Sequence, residues 1–503
     1  MGLSDKRANV YTSPPMPTNR LHSRTQILFI GALSVLLIGV SVQYSLKVLT
    51  PRKDGNTQSA ILRWAQQIQA MEDGENIHAK YNYPNPPIMP QILWPLAKLA
   101  KVSPLAAALT WFYMKVALAL VCILWAFRLV ETPEQPFPAW SKALTVLLSI
   151  RPILGDLTHG NINIFILFLV MASLYAFSRN RNVLSGLLLA LAIACKVTPA
   201  LFVIYFLWKR GWGVLIGCAI GLILFFLLVP SIFFAVQKGS LVDGWNANWD
   251  ALTSWKKGMI DPYLERGEVT PEKENQSLPG VMTRLLTHAP SFSSWVDNVY
   301  TPLAYHNIAD LDRGTIKLIV QLCQALFLLS MVFLCRAPIG QPGVPTTDIR
   351  RGWQLSAEFS LILVAMLMFS ERTWKHHCVT LLLPFAVLCY GLAVWFPRKQ
   401  RLAAGIAVGL AGLLILSTSS GVFGNESPKA QNTFDAMKVA VGPTAYMAAF
   451  EPAVESDATA ELGIVPDSPG KYAQVYGAYL WAFLALLAGL SIMLRSNRTR
   501  RLS

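Results

Sequence analysis

Four side chains that can carry positive charge, Arg372, Lys375, His376 and His377, fall within six positions of one another in the stretch SERTWKHHCVTLLLPF (370–385), between two apolar runs. Arginine forks two oxygens, lysine is a point charge, and imidazole donates or accepts, so the set suits a phosphate or pyrophosphate. Basic side chains at a span end also snorkel to the interface, where Trp374 would join an aromatic belt. Snorkelling does not account for an Arg, a Lys and two imidazoles together on a side where positive charge is otherwise scarce.

Other candidates lie upstream. In GDLTHGNINIFILFLV (155–170) a short polar turn, 155–160, carries Asp156 and His159 and leads into a helix at Asn161, with Asn163 close behind. Capping alone could explain the asparagines. Lys196 separates two half-length apolar runs and is followed by the helix breaker Pro199. An ammonium there is costly unless paired or wet.

A polar segment over 50–90 opens with Asp54 and continues through RWAQQI (63–68), an amphipathic interfacial pattern that Gly74 ends. YNYPNPP (81–87) is a rigid aromatic turn, because Pro84, Pro86 and Pro87 deny donors and fix φ. Trp245, Trp249 and Trp255 recur at roughly helical spacing, as on an interfacial helix.

The elements that must position these residues are membrane spans. Of 503 residues 53% are hydrophobic and 14% charged, and mean hydropathy is +0.43. The apolar residues fall into blocks long enough to cross a bilayer as helix. The pattern predicts an all-α polytopic membrane protein of about twelve spans, near 27–49, 104–127, 140–155, 161–178, 183–195, 197–208, 213–233, 314–335, 353–370, 378–396, 402–423 and 475–494. The first lacks a small-residue cleavage site and reads as retained. The two short runs flanking Lys196 suggest a broken pair.

With the N-terminus inside, inner segments collect Arg128, Arg179, Arg181, Lys209, Arg210, Arg350, Arg351 and the basic tail, as the positive-inside rule requires. The +15 net charge is then an inner face turned to anionic lipid, and nucleic-acid binding is not needed to explain it. This organisation gives a cytoplasmic segment 1–26, a membrane domain 27–424 with outer loops 50–90 and 234–313, an acidic outer loop 425–473, a last span 474–494 and a basic cytoplasmic tail 495–503. Both termini are expected in the cytoplasm, in a plasma (inner) membrane. The seven cysteines lie in or beside apolar runs without CxxC spacing, so neither a disulfide framework nor a metal site is expected.

The acid after the first span, YNYPNPP, HGNINIFILFLV, LLLALAIACKVTPALFVIYFLWKRGW, NQSLPGVMTRLL (275–286) and SERTWKHHCVTLLLP together resemble glycosyltransferase family 87, a GT-C mannosyltransferase family, over about residues 25–425. The resemblance implies a GT-C-type bundle with outer-face loops forming the active site. It also implies a polyprenyl-phosphate sugar donor, most simply mannose, a lipid- or glycan-linked acceptor, membrane lipid surroundings and no cofactor.

By location Asp54 matches the family's catalytic acid, although Arg-Lys-Asp-Gly-Asn lacks the hydrophobic and Tyr neighbours usual there, which leaves Asp156, Glu72 and Asp73 as alternatives. The family's Gly-Gln-x-Asn reads here as Gly160-Asn161-Ile162-Asn163, and its Lys-x-x-Pro is intact at Lys196–Pro199. Donor-phosphate binding is expected from Arg372, Lys375, His376, His377 and Lys196, and substrate contacts from His159, Asn161, Asn163, Tyr83 and Asn275.

A carboxylate would take the acceptor's proton while the cations hold the leaving phosphate, and one displacement would invert the sugar carbon. No Gly-rich phosphate loop follows a strand, as a lipid-linked donor allows. A transporter or flippase is the main alternative, suggested by the ionisable Lys115 and Glu358 within apolar runs. The other is an O-antigen ligase or polymerase acting on lipid-linked glycans.

Overall fold

A computed structural model describes residues 20–50, 59–81, 83–132, 135–296, 299–339, 350–394, 398–418 and 469–500. The chain divides into Met1–Tyr44 and Ser45–Ser503. The first unit holds most of helix Arg20–Leu49, and all further elements belong to the second.

Among the described residues seven helices are long and apolar enough to cross a membrane: Ile27–Leu49, Pro104–Val130, Trp212–Lys238, Arg313–Leu334, Lys375–Ala393, Arg398–Ser417 and Ala478–Arg495. Shorter apolar helices run Asn163–Ser178, Asn182–Cys195, Thr198–Trp208 and Trp353–Met368, and Ala139–His159 is a further helix. The chain is a multi-pass membrane protein.

Burial sorts the helices of the second unit. In Trp353–Met368 every residue from Leu355 onward is buried, and Leu382–Gly391 is buried throughout. These two form the centre. Arg313–Leu334 buries little beyond Ile316, Val320 and Met331, while Leu318, Leu322, Leu326 and Phe333 stay exposed. An apolar surface of that kind is stable when its surroundings are lipid.

Close helix approach relies on small residues, as is usual where lipid removes the hydrophobic drive between helices. A Cβ on Gly186 would lie 2.1 Å from the Val214 carbonyl oxygen, and one on Gly217 would lie 2.3 Å from that of Val183. Asn182–Cys195 and Trp212–Leu222 therefore pack backbone to backbone. At Lys196 the chain becomes extended (φ −160°, ψ 123°) before a single tight turn, Thr198–Ala200, so the break expected at Lys196–Pro199 is present.

The outer-loop helix expected around 63–68 runs Ala60–Glu72, and Gly74 follows it at φ +88°, a conformation that glycine adopts without strain. Helix Leu241–Trp255 carries the three tryptophans. Trp245 and Trp249 are exposed, while Trp255 is buried with its indole N–H on the Pro84 carbonyl at 3.2 Å. The rigid proline turn is thereby fixed to the second loop.

Two expectations need correction. The all-α reading omits an antiparallel hairpin, Pro290–Val296 paired with Val299–Tyr305. PSFSSWV and VYTPLAY carry the aromatic and β-branched residues that favour strands, inside a long polar segment that reads as loop. The polar turn expected over 155–160 is instead the last turn of helix Ala139–His159, which ends at Gly160 in the left-handed region, φ 73°. The helix persists because the charge of Asp156 is matched within the protein.

Candidate functional site

The turn before the Lys375 helix is fixed by the side chains around it. Thr373 donates its hydroxyl to the Leu367 carbonyl at 2.7 Å, and Ser370 donates to that of Arg372 at 3.0 Å. Asn275 reaches in from NQSLPG, donating to the Glu371 carbonyl at 2.9 Å and accepting from the Thr373 N–H at 3.0 Å. The Gln276 N–H closes the link on the Thr373 carbonyl at 2.7 Å.

Beyond the turn, Lys375–Leu381 is a 3₁₀-helix, with three residues per turn, so successive side chains diverge by about 120°. Lys375 points to the Thr418 carbonyl, 2.9 Å away. His376 points to Asn161, with Nε2 and the amide nitrogen 3.0 Å apart, and its ring centroid lies 4.4 Å from that of His159. His377 accepts the Trp374 N–H on Nδ1 at 3.2 Å, which assigns the proton of a neutral ring to Nε2. Arg372, before the 3₁₀-helix, donates to the Thr270 hydroxyl at 2.7 Å and lies 3.7 Å from Glu371. The four basic residues do not converge on one anion.

His376, His377 and Lys196 instead meet the residues around Asn161. Lys115 and Asp156, both fully buried, form an ion pair at 3.2 Å, and Lys115 also donates to the Asp156 carbonyl at 2.6 Å. Asp156 accepts further hydrogen bonds from the Asn163 amide at 2.9 Å and the Ile164 N–H at 3.3 Å. Because the nitrogen of Asn163 faces Asp156, its oxygen faces Lys196, whose Nζ donates to it at 2.9 Å. Trp111 secures the backbone between, donating to the Gly160 and Asn161 carbonyls at 3.1 and 3.2 Å.

Lys196 and His377 line one small, partly open recess of about 20 Å³ with Asn163, Thr198, Ser370, Thr373 and Thr380, backed by Ile166, Met366 and Leu367. The Thr380 hydroxyl is buried there without a hydrogen-bond partner among the described residues. An ammonium, an imidazole N–H and hydroxyls around an apolar back wall are donors suited to a single oxyanion.

The expected acids fare differently. Asp54 lies outside the described residues. Asp156 is enclosed by Lys115, Asn163 and Ile164, which suits it to orienting Asn163 and not to taking a proton from a ligand. Glu72 is bound by Lys101 at 2.8 Å, by Lys98 at 3.6 Å and by the Trp94 indole. Against the upward effect of its partial burial, these partners hold its carboxyl below the usual range. Asp73 follows the same helix and is exposed.

Tyr83 and Asn275, expected to touch substrate, are buried framework. Tyr83 is packed edge-on to Trp64 and His78, with ring centroids 6.0 and 5.7 Å away. Asn275 spends its amide on backbone groups, as already described.

Two ionisable residues near the site, Glu272 and Arg284, escape sequence reasoning. Glu371 and Glu272 have carboxyls raised above the usual range, chiefly by burial, with Glu268 adding to the first and Glu274 to the second. Arg284 is fully buried and donates to the carbonyls of Pro271, Glu272, Asn275, Gln474 and Val475 at 2.8 to 3.1 Å. It ties the NQSLPG loop to the end of helix Pro469–Val475. The signal for Arg284 is its place as the one charge in a nine-residue, mostly apolar helix, Leu278–Leu286.

The two ionisable outliers within apolar runs are both paired. Lys115 holds Asp156, and Glu358 accepts from Lys209 at 2.9 Å and from Tyr205 at 2.8 Å.

The model of glycosyltransferase family 87 matches residues 83–333. That range includes Lys115, Asp156, Asn163 and Lys196 and stops before the 371–377 turn. A polyprenol-phosphate-mannose-dependent alpha-(1-2)-phosphatidylinositol mannoside mannosyltransferase of Mycolicibacterium smegmatis is 28% identical over 281 residues, covering 54% of this chain and 52% of that protein. The protein of the same description from Mycobacterium tuberculosis is 26% identical over 296 residues, covering 58% and 55%. The chain spans about half the length of the curated relatives it matches. No solved structure matches the chain.

Proposed function

Since this chain belongs to glycosyltransferase family 87, we propose that it is an integral-membrane mannosyltransferase taking its sugar from polyprenyl-phosphate mannose. The acceptor is a hydroxyl on a lipid- or glycan-linked partner, and the phosphatidylinositol mannoside in the relatives' names makes a lipid with a phosphodiester headgroup the first choice. The observation that carries this reading is the recess shared by Lys196 and His377 beside Asn163, within and next to the stretch that matches the relatives.

In this reading about twelve helices cross the membrane and the recess opens to the outer face, where a lipid-linked donor replaces a nucleotide sugar. The donor's phosphate lies against Lys196 and the His377 Nε2–H, with His376 next to it on Asn161. The acceptor oxygen attacks the anomeric carbon as the bond from that carbon to the phosphate oxygen breaks. Polyprenyl phosphate departs with the electron pair, and the sugar carbon inverts. Charge growing on the leaving phosphate is met by groups already in place, where electrostatic stabilisation is most effective.

Asp54, at the start of the first outer loop, takes the acceptor's proton. Asp156 works at one remove: it fixes Asn163, which fixes Lys196. His159 and Asn161 position His376.

The test is to reconstitute the purified protein in vesicles with labelled polyprenyl-phosphate mannose, glucose and pentose, together with phosphatidylinositol mannosides. Mannose should move to the glycolipid. Release of no label from any donor would refute the reading.

A further inference from the structure

In a 3₁₀-helix, residues three apart eclipse one another. His377 and Thr380 are such a pair within Lys375–Leu381, and both line the recess beside Lys196. A threonine inside a helix commonly turns its hydroxyl back to a carbonyl of the preceding turn. Thr145, Thr158, Thr253 and Thr287 do so, each donating to the carbonyl four residues back at 2.7 to 2.9 Å. Thr380 differs: it is only 6% exposed, and its hydroxyl oxygen is buried without a hydrogen-bond partner among the described residues.

Its polar neighbours around the recess are already committed. Ser370 and Thr373 donate their hydroxyls to the Arg372 and Leu367 carbonyls, and Asn163 is held between Asp156 and Lys196. A buried hydroxyl with no acceptor costs free energy that an entering acceptor would restore. The space available, about 20 Å³, is enough for one oxygen-sized group. An unspent O–H therefore shares with an ammonium and an imidazole a recess that fits a single oxygen atom.

We propose that Thr380 is a further donor-binding residue, whose hydroxyl donates to the same non-bridging phosphate oxygen of polyprenyl-phosphate mannose that Lys196 and the His377 Nε2–H hold. The recess takes that one oxygen, and the sugar and the lipid chain lie outside it. The inference rests on the transfer reading, which puts the donor's phosphate here. The intact donor is a phosphodiester with one negative charge, and the departing polyprenyl phosphate gains a second. Donors gathered on one of its oxygens therefore hold the product, and the charge growing toward it, more tightly than the starting diester.

The experiment uses the full-length protein in phosphatidylcholine nanodiscs, at a pH where polyprenyl phosphate is a dianion. Short-chain polyprenyl phosphate, short-chain polyprenyl-phosphate mannose and short-chain phosphatidylinositol are separate probes, with inorganic phosphate as competitor. Thr380→Val keeps the shape of the side chain and removes the hydroxyl. It should weaken polyprenyl phosphate roughly 10- to 150-fold, weaken the intact donor less, and leave phosphatidylinositol within about twofold. Its unfolding temperature should stay level or rise, because the hydroxyl has no partner among the described residues to lose. Thr380→Ser, which keeps the hydroxyl, should retain most of the affinity.

Unchanged polyprenyl phosphate affinity in Thr380→Val, with Lys196→Gln weakened, would overturn the proposal and leave a water as the partner of Thr380. Unchanged affinity in both variants would refute the transfer reading's placing of the donor as well, so the two fail separately. Weakened binding together with a lowered unfolding temperature would overturn the proposal by making the hydroxyl part of the framework. Loss of phosphatidylinositol in place of polyprenyl phosphate would overturn the donor assignment, and competition by inorganic phosphate at the concentrations where the lipid binds would overturn the lipid-linked source.

Discussion

Asn163 joins Asp156 to Lys196, donating its amide N–H to the carboxylate and accepting the ammonium on its oxygen, both at 2.9 Å. Its orientation is therefore set by Asp156, and the direction of Lys196 by Asn163. Asp156 itself balances the fully buried Lys115, so it serves fold and site at once.

Substitutions at the two candidate acids should accordingly differ in kind. Asp156→Asn leaves the Lys115 ammonium buried without its counter-charge, a loss of about 3 to 5 kcal/mol, and should lower the unfolding temperature markedly. Asp54→Asn should leave unfolding unchanged and reduce turnover by roughly 10² or more, with donor affinity retained. Thermal unfolding alongside single-turnover transfer separates them. An Asp156→Asn protein as stable as the parent yet inactive would identify Asp156 as the base.

The division of basic residues predicts a division in donor binding. Lys196→Gln and His377→Ala should each weaken polyprenyl phosphate by about 1.5 to 3 kcal/mol, or roughly 10- to 150-fold. Arg372→Gln should leave that affinity within about twofold, since its guanidinium is held by Thr270 and Glu371. Equal losses at all three positions would restore the single-anion picture.

That division also marks where sequence reasoning stops. Apolar blocks and breakers gave the helices and the break at Lys196, because length and hydropathy decide them locally. Proximity in the sequence suggested that Arg372, Lys375, His376 and His377 act together, and it could not disclose a 3₁₀ turn that sends consecutive side chains to three different neighbours. Asp156 and Lys115 were both noticed, separated by 41 positions, but their pairing depends on the packing of two helices. A polar loop motif such as Asn275-Gln276-Ser277 reads the same in sequence whether it binds substrate or, as the Asn275 amide does, backbone.

The segment around helix Ile77–Tyr81 should be sensitive to acid through His78. Burial lowers this imidazole to about 4 from 6.5, against the Tyr83 carbonyl that partly restores it. The folded state therefore keeps His78 neutral where the unfolded chain is already protonated. Its contribution is complete above about pH 6.5 and is lost as pH falls toward 4, by about 3 kcal/mol over the window. Melting curves at pH 7.5 and 5.0 should show a larger drop for the parent than for His78→Gln. An equal drop in both would place the acid sensitivity elsewhere.

Asn275 gives the last prediction, because a brace and a substrate contact fail differently. Its amide holds the Thr270 and Glu371 carbonyls at 3.0 and 2.9 Å, and its oxygen accepts the N–H groups of Ser277 and Thr373 at 3.2 and 3.0 Å. Gly280 approaches so closely that a Cβ there would lie 2.3 Å from the Asn275 amide nitrogen. Asn275→Ala leaves buried backbone groups unsatisfied at about 1 to 3 kcal/mol each, and Gly280→Ala forces the same amide aside. Both should lower the unfolding temperature and, by loosening the 371–373 turn that precedes His376 and His377, reduce kcat in parallel. Unfolding in detergent and transfer kinetics measured on the same preparations test this. A stable Asn275→Ala protein whose only change is a raised KM for the donor or acceptor would make Asn275 a substrate contact after all.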